Sequence, residues 1–542
     1  MMNMQNALYK IVTVFFVILT LCRASHAGES EQGTIFNDAI DKLRLGAQAS
    51  VRRFVGSETV PPYDVTVRSE AVGLKLKNVY TLEGINDLLE ATRAARKIDV
   101  VVRPWGTFVQ AASFESADMG EATNYDAIWV RDSVWAYFAL AAEEETRADA
   151  KAVLLTLLDY MATSAQLQRM RLVVSNPALV DGDAGDMNAV HIRFDSKSRE
   201  FLDVQENGQP QPWKHKQNDA LGLLLDAALS AYRDGLVTLA ELKENDRLVA
   251  MAGLFAYLDA VDFHLMEDSG AWEEIARRNT SSIGLVTSAV TNLFAALKSD
   301  EDGTFAKSFE NAAKTFGKAE IAHPFTLAKM LLNGYGVIHS QLALGGESPD
   351  YEPDDEHFRT ADAALLNLIY PARLERLRAE DKLSALALVA TLTGDFGIAR
   401  YAGDNYQSAN FWFKGIRTDT DVASHEERRR NFIPGTEAEW FFDSWLANCA
   451  LHLYDETGDR ELLSLATKHL NRALGQITGE ATLQADGRLA RKFALPESYN
   501  FLERDGELFA AASPICPLNW AKASLTLGLR HFQRILSEQP DK

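Results

Sequence analysis

The segment Ala271–Ile275 places a tryptophan beside two adjacent glutamates, shortly before an apolar-periodic stretch that begins at Ser281. Adjacent carboxylates repel each other, so a fold tolerates such a pair more readily where the pair has a chemical task. Cleavage of a glycosidic bond is one such task, because it needs a carboxylic acid to protonate the leaving oxygen, a second acid nearby and an indole face for the sugar ring. The alternative is an exposed helix N-terminus, where glutamates complement the helix dipole and Trp272 only packs.

Five further clusters combine an aromatic residue with charged or amide side chains at predicted helix boundaries. Sugars require this combination, since ring faces pack on their CH surface while Arg, Asp and Glu side chains bind vicinal hydroxyls. We therefore expect the loops that carry these clusters to converge on one pocket. The clusters are Tyr125–Asp132, Trp213–Asp219, Ala399–Tyr406, Glu437–Trp440 and Leu495–Asn500.

Simpler structural explanations stay open for several of these residues. Arg131 and Asp132 could form a capping pair at a helix start, and Asp404 with Tyr406 could shape a turn. Glu439 could contact a sugar or pack within the fold. The histidines lack a spacing typical of metal ligands, so we expect neither a metal nor another cofactor.

The elements that must position these clusters are mainly helical. Apolar residues recur at helical spacing in many segments, which predicts roughly a dozen helices. Alternating apolar residues in Val65–Tyr80 and the run Val100–Val102 predict instead a small β-rich element near the N-terminus. The helical segments include Phe36–Phe54, Ile85–Ala95, Leu154–Met161, Ala220–Tyr232, Leu239–Leu258, Val286–Leu297, Leu383–Leu392, Phe441–Tyr454, Leu462–Leu474 and Leu525–Leu536.

The N-terminal residues have the pattern of a secretory signal. Lys10 precedes an apolar run from Ile11 to Leu21, and Ser25-His26-Ala27 fits a cleavage site. Leu21 is a poor residue to precede a lipidated cysteine, so we do not predict lipid attachment at Cys22. The predicted segments are therefore a signal peptide (residues 1–27), an N-terminal helix and β element (28–115) and one helical catalytic barrel (116–542). We expect a periplasmic or secreted protein with no membrane contact after cleavage of the signal.

The charge of the chain limits its partners. Without Lys10 and Arg23, 53 basic side chains face 76 acidic ones, so the chain after residue 27 has a net charge of −23. This acidity argues against nucleic acid and anionic membranes and fits a neutral carbohydrate partner and a monomer. Cys449 and Cys516 could form one disulfide or remain two buried thiols.

Several motifs, taken in order, resemble those of the glucoamylase family of glycoside hydrolases (family 15). They also resemble the related α and β regulatory subunits of phosphorylase kinase, to which Gln217–Ala220 and Ser282–Gly284 are closer. The motifs with glucoamylase counterparts are Trp129-Val130-Arg131-Asp132, Trp272-Glu273-Glu274, Arg400-Tyr401, Pro496-Glu497 and Leu518-Asn519-Trp520-Ala521.

This resemblance implies an (α/α)6 barrel of six inner and six outer helices, with a pocket built from loops at one end. It implies an exo-acting enzyme that releases β-glucose from α-glucosides with inversion. By position, Glu273 matches the general acid and Glu497 the general base. The matching sugar-binding residues are Trp129, Arg131, Asp132, Trp272, Glu274, Arg400 and Tyr401, and we add Asp404 from the same cluster.

The chemistry of inversion is consistent with these roles. The two acids must stand about 6.5–9.5 Å apart to admit water, so they should come from different loops. Glu273 and Glu497 meet this condition, whereas Glu273 and Glu274 are adjacent and do not. We expect Glu274 and an apolar tryptophan wall to raise the pKa of Glu273, and Glu497 to stay ionised.

Two other functions remain open. The same barrel could bind or regulate glycans without catalysis, or it could act on trehalose, α-mannosides or uronate-containing glycans, as a hydrolase or a lyase. The segment after the acid contains Arg277 and Arg278 and differs from the glycine-rich stretch of glucoamylases. This difference leaves room for phosphate-bearing or acidic glycans.

Overall fold

A computed structural model describes residues 32–44, 49–114, 123–182, 184–416 and 422–538. The predicted signal peptide and the predicted segment boundary at residues 115 and 116 lie outside these residues, so both stay predictions. The helices are α1 (32–44), α2 Glu70–Gly73, α3 Leu82–Ala91, α4 Arg93–Arg96, α5 Val130–Ala141, α6 Arg147–Met161, α7 Ser164–Ser175, α8 Gly185–Asn188, α9 Asn218–Arg233, α10 Leu239–Lys243, α11 Arg247–Ala260, α12 Thr280–Lys298, α13 Thr304–Lys314, α14 Pro324–Leu344, α15 Ala379–Ala390, α16 Val422–Asn431, α17 Asp443–Thr457, α18 Arg460–Gly475 and α19 Asn519–Glu538.

The strands are short and form small antiparallel sheets. β10 lies between β9 and β11, and the other strands pair as β1–β2, β3–β4, β5–β6 and β7–β8. Their bounds are β1 Ser50–Phe54, β2 Tyr63–Val67, β3 Val101–Arg103, β4 Gly106–Phe108, β5 Ile128–Trp129, β6 Arg193–Phe194, β7 Gln205–Glu206, β8 Gln209–Pro210, β9 Glu439–Trp440, β10 Ser498–Arg504 and β11 Glu507–Ala512.

Six inner segments form a closed ring, which confirms the predicted mainly α fold of the (α/α)6 barrel type. The ring runs through α5, α9, α12, the 3-10 segment Ala363–Leu368, α17 and α19, and α19 packs back on α5. An outer layer of α3, α6, α11, α14, α15 and α18 covers it, each helix packing on an inner neighbour. The inner helices are buried on most of their surface, because they face the barrel axis on one side and the outer layer on the other.

Helix α12 illustrates this double burial. Within the described residues it is the one helix long and apolar enough to cross a membrane, yet 72% of its most apolar window is buried inside the barrel. Its close contact with α9 depends on Gly222, since a Cβ there would lie 2.6 Å from the backbone nitrogen of Val286. The apolar composition of α12 is therefore explained by its place in the inner ring.

Three predicted elements differ from the structure. Phe36–Phe54 is not one helix, because Ser50–Phe54 is a strand that pairs with β2 and buries Phe54. Leu239–Leu258 is broken where Asn245 and Asp246 adopt left-handed backbone angles. The β-rich element continues beyond β2 as the short helix α2.

The C-terminal hairpin β10–β11 was not predicted, although it helps to place the site. Glu497 precedes β10, its backbone N–H donates to the carbonyl of Ile515 at 2.9 Å, and Ser498 pairs with Trp440 of β9. Cys449 and Cys516 are both buried free thiols, so they do not form the disulfide that the sequence allowed.

Candidate active site

The segments that precede the five inner α-helices all contribute residues to one cavity, so these helices begin near it. The partial positive charges of several helix N-termini therefore face this cavity, which favours electronegative groups such as hydroxyl oxygens and carboxylates. The cavity measures about 780 Å³ including its open mouth. It is lined by Ala111, Thr123, Tyr125, Trp129, Arg131, Asp132, Trp213, Ala271, Trp272, Glu273, Glu274, Arg400, Tyr406, Arg428, Trp440, Glu497, Leu518 and Trp520.

Eight of the ten predicted site residues line this cavity. The two exceptions are Tyr401 and Asp404, which lie behind its wall. Asp404 is fully buried, and both of its carboxylate oxygens accept hydrogen bonds from Arg400. Asp404 therefore supports Arg400 from behind the wall, which corrects its predicted contact with the substrate. Tyr401 donates to Glu274 and lines an adjoining second cavity, so its contact with the substrate stays a prediction. The lining residues are Trp129, Arg131, Asp132, Trp272, Glu273, Glu274, Arg400 and Glu497.

Glu273 ends the 3-10 turn Gly270–Trp272 in a left-handed conformation with φ 59°. Such backbone angles cost a non-glycine residue about 1–3 kcal/mol and are found most often at functional sites. The indole N–H of Trp213 donates to Glu273 Oε2 at 2.7 Å, and Arg131 Nη1 lies 3.5 Å from Glu273 Oε1. The turn is fixed by Arg131, which also donates to the carbonyl of Gly270 at 3.1 Å.

Glu497 is buried beside two hydrogen-bond donors. The hydroxyl of Tyr125 donates to its Oε1 at 2.7 Å, and the amide of Gln407 donates to its Oε2. Burial raises the pKa of Glu497 to about 7, and these hydrogen bonds only partly oppose that effect. This raised pKa runs against the expectation that the Glu497 carboxylate stays ionised.

Glu274 belongs to a compensated charge network. Its Oε1 accepts from Arg400 at 2.8 Å, its Oε2 accepts from Tyr401 at 2.6 Å, and Arg359 lies 3.6 Å away. Although burial alone would raise it, the pKa of Glu274 is lowered to about 2 by Arg400 and then Arg359. Glu274 is therefore a neutralised member of the wall, and the predicted repulsion between free charges at Glu273 and Glu274 is not supported.

Arg131 and Asp132 begin α5 but do not bond to each other as a capping pair. Arg131 donates to Asp219 at 2.6 Å and to Gln217, so α9 holds its guanidinium in place. Burial raises the pKa of Asp132 to about 7, against the attraction of Arg131. Asp132 faces the cavity and can therefore exchange a proton or a hydrogen bond with a ligand near neutral pH.

Aromatic rings form much of the remaining wall. They include Trp129, Trp272 and four rings that the sequence did not single out as sugar contacts: Trp213, Tyr406, Trp440 and Trp520. Their motifs were recognised, but which ring of each motif faces the cavity depends on the packing. The carboxylate of Glu439 accepts backbone hydrogen bonds from Phe396 and Gly397, so its role is to hold a turn.

Three further functional residues were missed by the sequence analysis. Tyr125 opened a recognised cluster, and Gln407 directly follows another, but neither was assigned to the second acid that both contact. Arg428 lines the cavity from α16, within a loop that matched no known pattern. For Tyr125 and Gln407, the only signal in the sequence was their position next to the recognised residues Asp126–Asp132 and Asp404–Tyr406.

One group in the described part of the chain has the spacing of metal ligands, formed by His452, Asp455 and His531. Both ring nitrogens of His531 already contact Asn448 and Asp455, and Asp455 also pairs with Arg534. The group lies toward the C-terminal ends of α17 and α19, at the opposite end of these helices from the cavity. Two of the three members, Asp455 and His531, therefore belong to a hydrogen-bond network that includes Asn448 and Arg534.

Known structures share the fold. A glycosidase variant is similar over 83% of this chain and 98% of its own, with 17% identical residues and a TM-score of 0.51. A second glycosidase variant gives 18% identity, 83% and 97% coverage and a TM-score of 0.50. The glucoamylase from Saccharomycopsis fibuligera is 14% identical and is similar over 85% of this chain and 97% of its own, with a TM-score of 0.49. At such identities the likeness concerns the fold alone, which is the mainly α barrel of these glycosidases.

Sequence comparison gives nearer relatives of unknown activity. No protein-family model matches the chain. The YgeP protein of Escherichia coli (strain K12) is 41% identical over 86 residues, which is 16% of this chain and 87% of YgeP. The uncharacterized lipoprotein YgeQ of the same strain is 47% identical over 209 residues, which is 39% of this chain and 79% of YgeQ. Given this identity over most of the relative, the chain belongs to the same protein family as YgeQ.

Proposed function

We propose that this protein is an inverting glycoside hydrolase that releases glucose from the non-reducing ends of α-glucosidic oligosaccharides. The observation that carries the proposal is the convergence of Glu273 and Glu497, far apart in the chain, on one cavity walled by indole rings. Inverting hydrolysis needs two carboxyl groups on opposite sides of the bond with room for water, and acids on separate loops can provide this arrangement. The glycosidase-like fold agrees with this chemistry but does not specify it.

In this proposal Glu497 is the general base. Tyr125 and Gln407 each donate to one oxygen of its carboxylate. They therefore orient the group, while a second lone pair on each oxygen can still accept a proton from water. A base whose pKa lies near the working pH combines a deprotonated form with strong basicity. The value of about 7 for Glu497 therefore suits this role.

Glu273 is then the general acid. The indole N–H of Trp213 holds Glu273 Oε2 by a hydrogen bond, while Glu273 Oε1 faces the guanidinium of Arg131. By contrast, burial among its own contacts raises the pKa of Glu497 to about 7. These contacts favour a second candidate on the same cavity, in which Glu497 donates the proton and Glu273 activates water.

Sugar binding is assigned to the wall. Asp132 and Arg400 offer charged partners to hydroxyl groups, and Trp129 and Trp272 offer ring faces. Arg131 is engaged by Asp219, Gln217 and Gly270, so we assign it to holding the turn of Glu273.

The function is tested with maltose, maltotriose, isomaltose and trehalose, following the released anomer by proton NMR. Release of β-glucose from one of the first three substrates supports the proposal. Release of glucose from trehalose alone would indicate a trehalose hydrolase on the same barrel. Binding without any cleavage would indicate the non-catalytic alternative.

The two assignments of Glu497 predict different pH profiles on α-glucosyl fluoride, because its fluoride leaves without protonation and only the base is needed. Acting as the base, Glu497 must lose its proton, so kcat/KM on the fluoride rises with pH and levels off above its pKa of about 7. Acting as the acid, Glu497 is not needed for this substrate, and kcat/KM shows no rise near pH 7. Initial rates measured between about pH 5 and pH 9 distinguish the two roles. Asp132→Asn should lower the rate but leave the change of kcat/KM near pH 7 in place. If this change disappears in Asp132→Asn, the titrating group is Asp132 and not Glu497.

Trp213→Phe keeps an aromatic wall and removes the N–H donor to Glu273. A hydrogen bond contributes about 0.5–1.5 kcal/mol, so we expect kcat to fall by about two- to tenfold. Trp105→Phe is the matched control, because its indole N–H donates to the carbonyl of Ser196 and it does not line the cavity. Equal activity of the two variants would show that Trp213 does not hold Glu273 during catalysis.

We also propose a location outside the cytoplasm. The supporting observations are the signal-like N-terminal residues 1–27 and the description of the relative YgeQ as a lipoprotein. Cell fractionation of the full chain, with and without residues 1–27, tests this location. The expectations of a monomer and of no nucleic acid or membrane partner stay predictions.

A further inference from the structure

A second cavity lies beside the first and shares Glu274 with it. Helix α16 contributes to both, because Arg428 lines the first cavity while His425 and Arg429 line the second. The rest of the second cavity comes from the segments near Arg277, Arg359 and Tyr401. A ligand longer than one sugar could therefore occupy both cavities.

Arg277 is the unusual residue of this second cavity. Only 3% of it is exposed, and its Nε has no hydrogen-bond partner. Its Nη2 makes one long contact of 3.4 Å with the carbonyl of Glu356, and no carboxylate within 4.0 Å of Arg277 is found among the residues that the structure describes. A buried charge without a hydrogen-bonded counter-ion is costly, so such a charge is retained more readily where a ligand completes it.

The acids around Arg277 are already engaged. Glu274 is bound by Arg400 and Tyr401, and Asp362 by Arg359. At the mouth, Glu356 pairs with Arg429 and Asp355 with His357. Burial, followed by the charge of Arg359, lowers the pKa of Arg277, while Glu274, Tyr401 and Asp362 act more weakly in the opposite direction.

The backbone of Arg277 is rigidly placed. Its N–H donates to the carbonyl of Asp268 at 3.0 Å, and its own carbonyl accepts from the N–H of Asp268 at 2.9 Å. The backbone that carries this side chain is therefore fixed before any ligand arrives, and the burial of Arg277 restricts the side chain further.

We propose that the second cavity binds an anionic substituent, a carboxylate or a phosphate, on the sugar adjoining the one held in the first cavity, with Arg277 as its counter-ion. A guanidinium binds either group through paired N–H donors. This inference rests on the proposed glycosidase function and narrows its substrates to acidic α-glucosides. Neutral oligosaccharides would leave Arg277 without its partner and would be poorer substrates.

The activity test compares three disaccharides that differ at the second sugar. These are maltose, α-1,4-glucosyl glucuronic acid and maltose phosphorylated at O6 of the reducing glucose, and the preferred acidic substrate distinguishes carboxylate from phosphate. For Arg277→Gln we expect kcat/KM on the preferred acidic substrate to fall by about 10- to 100-fold, and on maltose by less than about threefold. Equal losses on all three substrates, or a wild-type preference for maltose, would overturn the inference.

Two further variants separate charge recognition from folding. Arg277→Lys keeps a positive charge and should restore part of the acidic preference. Arg278→Gln alters the neighbouring arginine, which pairs with Asp350 and lines neither cavity, and should leave the preference unchanged. A comparable loss of preference in Arg278→Gln would assign the effect to the segment rather than to Arg277.

A binding test keeps this inference distinct from the proposed function. Calorimetry with glucose, glucuronate and glucose 6-phosphate measures recognition without cleavage. Tighter binding of one anionic sugar, lost in Arg277→Gln, supports the second cavity even if no α-glucoside is hydrolysed. Cleavage of maltose combined with no preference for either anionic sugar supports the glycosidase and overturns the anion site.

Discussion

Glu497→Gln lowers kcat on maltose by about 10²- to 10⁴-fold, because the amide cannot take a proton from the attacking water. Glu273→Gln gives a loss of similar size, because the amide cannot protonate the leaving oxygen. The two losses have different causes, and a substrate that needs no acid separates them.

α-Glucosyl fluoride is such a substrate, since fluoride leaves without protonation. If Glu273 is the acid, Glu273→Gln should keep much of its activity on the fluoride while Glu497→Gln should not. The reverse result would establish the second candidate, with Glu497 as the acid. Full activity of either variant on maltose would exclude that residue from catalysis.

Arg400→Met should be the most destabilising of the single substitutions considered. Arg400 is buried, and it donates to Glu274 and to both oxygens of Asp404, which are buried as well. Removing one partner of a buried ion pair costs about 3–5 kcal/mol, because the remaining charges stay desolvated. Urea unfolding at a fixed pH measures this change in the free energy of unfolding.

The pH dependence of this variant has a defined sign. In the wild type Glu274 has a pKa of about 2, so its contribution to stability is complete above the unfolded value of 4.5 and is lost as the pH falls towards 2. Without Arg400 the buried carboxyls take up protons more readily, so the difference from wild type should be larger at about pH 8 than at about pH 5. A difference that does not change with pH would show that packing, and not charge, dominates.

Two controls support the interpretation. The double variant Arg400→Met with Asp404→Asn should recover part of the lost stability, since one uncompensated charge is removed. Arg93→Met removes a surface arginine that pairs with Glu90, with side chains 78% and 70% exposed, and should change the stability little. An equally unstable Arg93 variant would indicate a general sensitivity to loss of arginine.

Local patterns in the sequence were sufficient for the barrel and for most of its lining. The 3.6-residue period identified α9, α12, α17 and α19, because an amphipathic stripe reflects only which side of a helix is buried. Pairs such as Trp272 with Glu273 were recognised because sugar cleavage combines an aromatic ring face with a carboxylic acid. The order of these clusters then indicated a common pocket.

Where local signals competed, the tertiary structure decided the outcome. Ser50–Phe54 was predicted as the end of a helix but pairs with β2, where Phe54 stacks on Tyr63 and is buried. Residues 245 and 246 break a predicted helix by adopting left-handed angles that no periodicity reveals.

The amino-acid sequence by itself determined a mainly α barrel, the order of its site motifs and the two acids that line its cavity. The tertiary structure alone decided that Tyr125 and Gln407 hold Glu497, that Trp213 holds Glu273, and that Arg400 neutralises Glu274. These partners come from distant parts of the chain. The protonation of each acid depends on burial and on charges within a few ångströms, and such distances exist only once the ring of inner helices has closed.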